Sequence, residues 1–152
     1  MELALYQPDQ PQNTGTLLRL GACMGVKVHI IDPCGFAFSE RALRRSAMDY
    51  IDHVDLMRHM DWEHFNQWRL ENGKSLVLLT TKGATAYCDY QYQDNTILLL
   101  GQESLGAPDV VHQSCDGRVV IPMRAELRSL NIAVAASMVL GESLRQTNHF
   151  KL

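Results

Sequence analysis

Short apolar runs, each cut off by glycine, proline or a polar cluster, alternate with helix-length segments along this chain. Residues 3–6, 26–31, 75–80, 96–100 and 118–123 carry the strand pattern, and 97–100 is an unbroken Ile-Leu-Leu-Leu. Helical segments fall between them, over 14–24 (stopped by Gly25), 41–47 (with Ser39 as cap), 61–70, 108–113 and 130–145. Strands that are apolar at successive positions are buried on both faces, and strand–helix alternation favours parallel pairing. The pattern predicts an α/β fold. A single domain over residues 1–152 is expected, with a mostly parallel sheet and helices on both faces, because no repeat or low-complexity linker interrupts it.

Composition narrows the class. Hydrophobic residues make up 46% and charged residues 20%, enough to build a core and too apolar for a disordered chain. Cys23, Cys34, Cys88 and Cys115 are scattered and never form C-x-x-C, which argues for reduced thiols and against a zinc ribbon. The histidines are dispersed too, so no metal is expected. No apolar run is long enough to cross a bilayer, and residues 1–6 lack the basic start of a secretory signal, so the expected place is the cytoplasm with no membrane partner. A net charge of −3 speaks against a nucleic-acid partner only weakly, since binding depends on local patches. Arg41, Arg44 and Arg45, and the pair Arg124 and Arg128, are candidate patches, equally at home on solvated faces.

In open α/β sheets ligands bind beyond the carboxyl ends of the strands, so the loops there carry the chemistry. After residue 100 comes Gly101-Gln102-Glu103-Ser104-Leu105-Gly106, which is not the G-x-G-x-x-G of dinucleotide sites. Glycines bracketing one carboxylate suit a loop that approaches a ligand closely, or a plain strand-to-helix turn. Ile121-Pro122-Met123 ends another strand, and Ser129 or Asn131 suits the cap of the last helix. That helix is apolar on every side over 132–140 and calls for cover on both faces, which a dimer interface supplies. The first helix is apolar around nearly its whole circumference. Its single charge, Arg19, falls about 200° from Leu17 at about 100° per residue. A guanidinium there needs an anion: a structural carboxylate such as Asp9 or Glu103, or a phosphate or ribose of a ligand. Asn13 stands at the head of the same helix.

Three motifs occur in order: Asn13-Thr14-Gly15 followed by Arg19, then residues 99–106, then Ile121-Pro122-Met123 followed by Ser129-Leu130-Asn131. Together they resemble the SPOUT RNA methyltransferases, in their ribose 2′-O-methylating branch. Leu5-Tyr6-Gln7-Pro8, His29-Ile30-Ile31-Asp32-Pro33, Gly35-Phe36, Leu43-Arg44-Arg45, Asp49-Tyr50 and Leu79-Thr80-Thr81-Lys82-Gly83 extend the likeness to the compact bacterial members that modify the tRNA wobble ribose.

The resemblance implies a C-terminal deep trefoil knot that holds S-adenosylmethionine. Its cofactor contacts would come from Leu79, Thr80, Gly101, Glu103, Gly106, Ile121, Pro122, Met123, Ser129, Leu130 and Asn131. It further implies a homodimer acting on the anticodon stem-loop of tRNA, with Arg19 as catalytic residue and Asn13 beside it. Arg44, Arg45, Lys82, Arg124 and Arg128 are the expected phosphate contacts. Arg19 is no free base, its own pKa being above ~12, so its expected part is to orient the ribose and stabilise the developing alkoxide. The chain departs from the family where a polar pair is replaced by Ala133 and Val134, and where Gly141 replaces a tyrosine before Glu142. A member acting on ribosomal RNA or another tRNA position, and an RNA-binding member without catalysis, stay open beside the wobble reading.

Overall fold

The computed structural model describes residues 1–83 and 85–150. In chain order the elements are β1 (Glu2–Tyr6), α1 (Pro11–Met24), β2 (Lys27–Ile31), α2 (Glu40–Ala47), a 3₁₀ turn (Met48–Asp52), β3 (Leu56–His59) and α3 (Trp62–Glu71). There follow β4 (Ser75–Leu79), β5 (Thr85–Ala86), β6 (Thr96–Leu100), α4 (Asp109–Ser114), β7 (Gly117–Val120) and α5 (Ile132–Gln146). The strands form one seven-stranded sheet in the order β3-β2-β1-β6-β4-β7-β5, every pairing parallel.

Alternate residues of the central strands point to opposite faces, and each face has its own core. Leu3, Leu5, Val28, Ile30, Val77, Leu98 and Leu100 pack with Leu17 and Leu18 of α1, Leu43 of α2, and Ala136, Val139 and Leu140 of α5. Ala4, Tyr6, Ile31, Leu76, Leu78, Ile97 and Leu99 meet Trp62 and Phe65 of α3 and Val111 of α4. Helices thus cover both faces, as strands apolar at successive positions require.

Several boundaries differ from the sequence pattern for identifiable reasons. α1 begins at Pro11, three residues ahead of the 14–24 segment, because a proline at the first helical position loses no hydrogen bond. It ends where Gly25 turns left-handed (φ 63°), and the Val26 N–H then donates to the Gly21 carbonyl at 3.0 Å. β7 stops at Val120, ahead of Pro122, which has no N–H to give a ladder. β3 and β5 are edge strands absent from the sequence pattern: an edge needs little burial, so Leu56-Met57-Arg58-His59 and the two-residue β5 carry no apolar run.

The register aligns strand ends. Leu5 stands opposite Leu100, Leu100 opposite Leu79, and Leu79 opposite Val119. The loops leaving β1, β6, β4 and β7 therefore start side by side.

At the other end of β1 a buried polar chain crosses the α3 side of the sheet. The Lys74 ammonium donates to the Glu2 carboxylate at 2.7 Å, whose second oxygen lies 2.8 Å from His29 Nε2, while His29 Nδ1 lies 2.9 Å from His59 Nε2. With both rings neutral, His29 donates to Glu2 and accepts from His59; two protonated rings would set donor against donor. Burial, reinforced by the neighbouring His29, pushes His59 down to about 4. Burial raises Glu2, but the bonds from His29 and Lys74 outweigh it and bring the carboxyl down to about 2. Both groups have folded-state values below their ordinary 6.5 and 4.5, so each binds protons more readily when unfolded. Stability is therefore expected to be full above pH 6.5 and to fall on acidification, through His59 towards about 4 and through Glu2 towards about 2. Urea midpoints measured against pH check this, with His59→Gln expected to flatten the upper limb only.

Candidate functional site

The loops beyond β4, β6 and β7 enclose a cavity of about 490 Å³, within the size range of small-molecule sites. Its construction is mostly backbone against backbone. After β4 the chain turns at Thr80, whose carbonyl accepts from the Gly83 N–H at 3.3 Å, while the Thr80 N–H donates to the Val119 carbonyl at 3.0 Å. After β6, Gln102 and Gly106 exchange N–H to carbonyl bonds at 2.9 Å each, pinching the loop so that Glu103, Ser104 and Leu105 form its tip. Gly106 is left-handed (φ 71°), which favours glycine. Gly101 is glycine for a different reason: a Cβ there would lie 2.7 Å from the Gly106 carbonyl carbon and 2.8 Å from the Ala107 nitrogen.

After β7 the chain runs exposed from Pro122 to Asn131 except at the half-buried Met123, and of the two candidate caps it is Asn131 that opens α5. Its side-chain oxygen accepts from Ala133 N–H at 2.9 Å and Val134 N–H at 3.3 Å. Its amide nitrogen donates to Asn13 Oδ1 at 3.0 Å, joining the cavity wall to the head of α1.

Leu79, Thr80, Gly101, Glu103, Gly106, Ile121, Met123, Ser129, Leu130 and Asn131 all line this cavity, and Pro122 does not. Lys82 and Arg128 line it too, and so do His112, Ile132 and Ala135, which no motif marked. Arg124 is exposed on the loop after β7. Arg44 and Arg45 lie on α2, where Arg44 pairs with Asp52 at 2.9 Å. Arg19 is exposed, and no carboxylate among the described residues pairs with it. Its guanidinium sits over the Tyr50 ring, 4.6 Å from the centroid, so a cation–π contact replaces the structural carboxylate.

Asp9 and Glu103, the acids considered for Arg19, instead face each other. Hydrogen bonds from Glu103 and from Ser104, working against burial, hold Asp9 below the usual carboxylate range. Burial, then the Asp9 side chain, pushes Glu103 up. The cavity thus combines apolar side chains (Leu79, Ile121, Met123, Leu130), loop backbone and the charged residues Lys82, Glu103 and Arg128. That combination suits a small ligand with both apolar and polar groups. Among the described residues no three His, Cys, Asp or Glu side chains gather as a metal site, and no helix is long and apolar enough to cross a membrane.

Residues 1–141 match the SpoU rRNA Methylase family. A tRNA (cytidine(34)-2′-O)-methyltransferase of Beijerinckia indica is 57% identical over 144 residues, covering 95% of this chain and 90% of its own. The protein of that name from Escherichia coli K12 is 37% identical over 151 residues, covering 98% and 95%. A solved structure described as giving insight into 2-OH methylation of C/U34 on tRNA superposes with a TM-score of 0.90 at 36% identity, over 95% of this chain and 94% of that one. An AdoMet-bound rRNA methyltransferase from Sinorhizobium meliloti superposes with a TM-score of 0.87 at 25% identity, over 99% of this chain and 57% of that one.

Because Gly101 abuts backbone, Gly101→Ala must open the pinch, at a cost of about 1–3 kcal/mol. Urea unfolding should register that loss, and a thermal-shift titration should show weakened binding of S-adenosylhomocysteine.

Proposed function

This chain belongs to the SpoU rRNA methylase family, and from that premise we propose that it transfers a methyl group from S-adenosylmethionine to the ribose 2′-hydroxyl of the wobble nucleotide, cytidine or uridine 34, of tRNA. What supports it is the likeness, over nearly the whole chain, to tRNA (cytidine(34)-2′-O)-methyltransferases, together with the Asn13–Asn131 contact that seats the head of α1 on the wall of the cavity. The knotted threading of the family goes with this fold, residues 1–152 acting as one methyltransferase domain in the cytoplasm.

Bound S-adenosylmethionine supplies an electrophilic methyl on a sulfonium. Leu79, Ile121, Met123 and Leu130 would hold its apolar surfaces, and the backbone around Thr80, Gly101, Gly106 and Ser129 its polar edges, with Pro122 shaping the loop. What remains for the protein is mainly positioning of a weakly acidic hydroxyl at attack distance. Arg19 orients the ribose and stabilises the developing alkoxide, its exposed guanidinium being placed to meet RNA phosphate. Asn13 positions the RNA at the junction with Asn131. Lys82 and Arg128 at the cavity, with Arg124, Arg44 and Arg45 further out, supply phosphate contacts that weaken as salt rises.

A homodimer completes this reading. α5 buries Ala133, Ala136, Val139 and Leu140, yet leaves Val134 51% and Met138 39% exposed one helical turn apart, with Leu127 and Leu130 exposed on the preceding loop. A second copy is the cover that this apolar strip calls for, and it would bring two RNA-facing surfaces together. Light scattering should find a dimer for the wild type and a monomer for Met138→Glu.

Purified protein incubated with labelled S-adenosylmethionine and unmodified bulk tRNA should yield a 2′-O-methyl at nucleotide 34, located by nuclease digestion and mass spectrometry. Transfer to ribosomal RNA alone would overturn the substrate and keep the chemistry. Arg19→Ala should lose about a hundredfold or more in rate with unchanged affinity for S-adenosylhomocysteine; full activity would remove Arg19 from the mechanism.

A further inference from the structure

A clasp centred on Asp9, a residue that no motif includes, joins the cofactor loop to the segment entering α1. Asp9 accepts the Glu103 and Ser104 backbone N–H groups at 3.3 Å each, and the Ser104 hydroxyl also donates to its carboxylate. In return the Asp9 N–H donates to the Glu103 carboxylate at 3.2 Å. Beside it, the Gln102 side-chain amide donates to Gln7 Oε1 at 3.3 Å. The loop after β2 closes on the same residue. A Cβ at Gly35 would lie 2.6 Å from the Asp9 Cβ, and the Gly35 N–H donates to the Pro8 carbonyl at 2.9 Å.

The loops after β2 and β6 therefore both close on Asp9 in the loop after β1, the β6 loop through its carboxylate and the β2 loop through its Cβ and the Pro8 carbonyl. α1 starts two residues after Asp9, at Pro11, and carries Asn13 and Arg19. Glu103, on the other side of the clasp, lines the cavity, whereas Asp9 itself does not. The clasp gives a displacement of the Glu103 loop a direct route to the head of α1, separate from the Asn131–Asn13 contact on the other wall, and linkage between two binding sites works equally in both directions.

We propose that Asp9 is a positioning residue that couples occupancy of the cofactor cavity to the placement of Asn13 and Arg19 for RNA. The inference rests on the functional reading above for what α1 presents, and on geometry alone for the clasp.

Calorimetric titrations with S-adenosylhomocysteine and with unmodified tRNA, each alone and with the other saturating, measure the linkage. In the wild type, saturating S-adenosylhomocysteine is expected to tighten tRNA binding about fivefold or more. In Asp9→Ala that factor is expected to drop below about twofold. Asp9→Asn keeps one carbonyl acceptor and Ser104→Ala removes only the hydroxyl donor, so both should fall between; these two carry the test if Asp9→Ala does not fold. A role confined to stability would lower the melting temperature and leave the linkage intact. Full linkage in a folded Asp9 variant, or none in the wild type, overturns the proposal. A wild type that binds S-adenosylhomocysteine but no tRNA defeats the functional reading instead. The clasp is then judged on the cofactor alone: Asp9→Ala should weaken S-adenosylhomocysteine about tenfold, and equal affinity overturns it.

Discussion

Thr96–Leu100 is buried at all five positions and pairs in parallel with β1 on one side and β4 on the other. That insertion organises everything around the cavity. It sets the Gly101–Gly106 loop between the loop entering α1 and the Thr80 turn, and it separates β1 and β4 so that one face is shared by α1, α2 and α5. The strand's one polar residue, Thr96, accepts a hydrogen bond from the Gln93 N–H at 3.1 Å, and the four residues that follow are Ile, Leu, Leu and Leu, apolar as burial on both faces requires. Its position is held by apolar contact on both sides and by ladders along both edges, so the loop that leaves it starts from a rigid base.

The cavity itself is shaped by main chain. Gly101 presses on Gly106 and Ala107, and Gly83 stands so close to Val119 that a Cβ there would lie 2.7 Å from its carbonyl carbon. Such approaches bring N–H and carbonyl groups to a ligand without long side chains whose freedom would have to be lost. Lys82, Glu103 and Arg128 are the charged residues of the cavity's lining. The pairing of Asp9 with Glu103 belongs to the same economy: two carboxyl groups that would repel in isolation hold the two loops together through backbone N–H groups and one hydroxyl.

Much of this was legible in the chain. Apolar continuity announced the central strands and the parallel sheet, Gly25 the end of α1, and Asn131 the cap of α5. The edge strands β3 and β5 were not, because edges carry no hydrophobic pattern. The outer face of α5 shows the limit of composition: its residues are apolar all round, yet in one chain only part of them finds cover. Arg19 shows another limit. Its isolation on an apolar helix signalled that something must meet the guanidinium, either a structural carboxylate or a phosphate or ribose of a ligand; within the chain the neighbour is the Tyr50 ring, brought there by the packing of the 3₁₀ turn against α1. His112 and Ala135 joined the cavity with no local signal at all.

Local physics accounts for what could be read from the residues alone. Helix ends, strand burial and close-approach glycines depend on a few neighbours in the chain, so the amino-acid order determined the elements, the α/β class and, by resemblance, the family. What brings Asn13 to Asn131, 118 residues apart, or Asp9 to Glu103, 94 apart, is the order of strands in the sheet. That order is chosen by which apolar faces bury each other best across the whole chain. Only the tertiary structure decided it, and with it which side chains share the site.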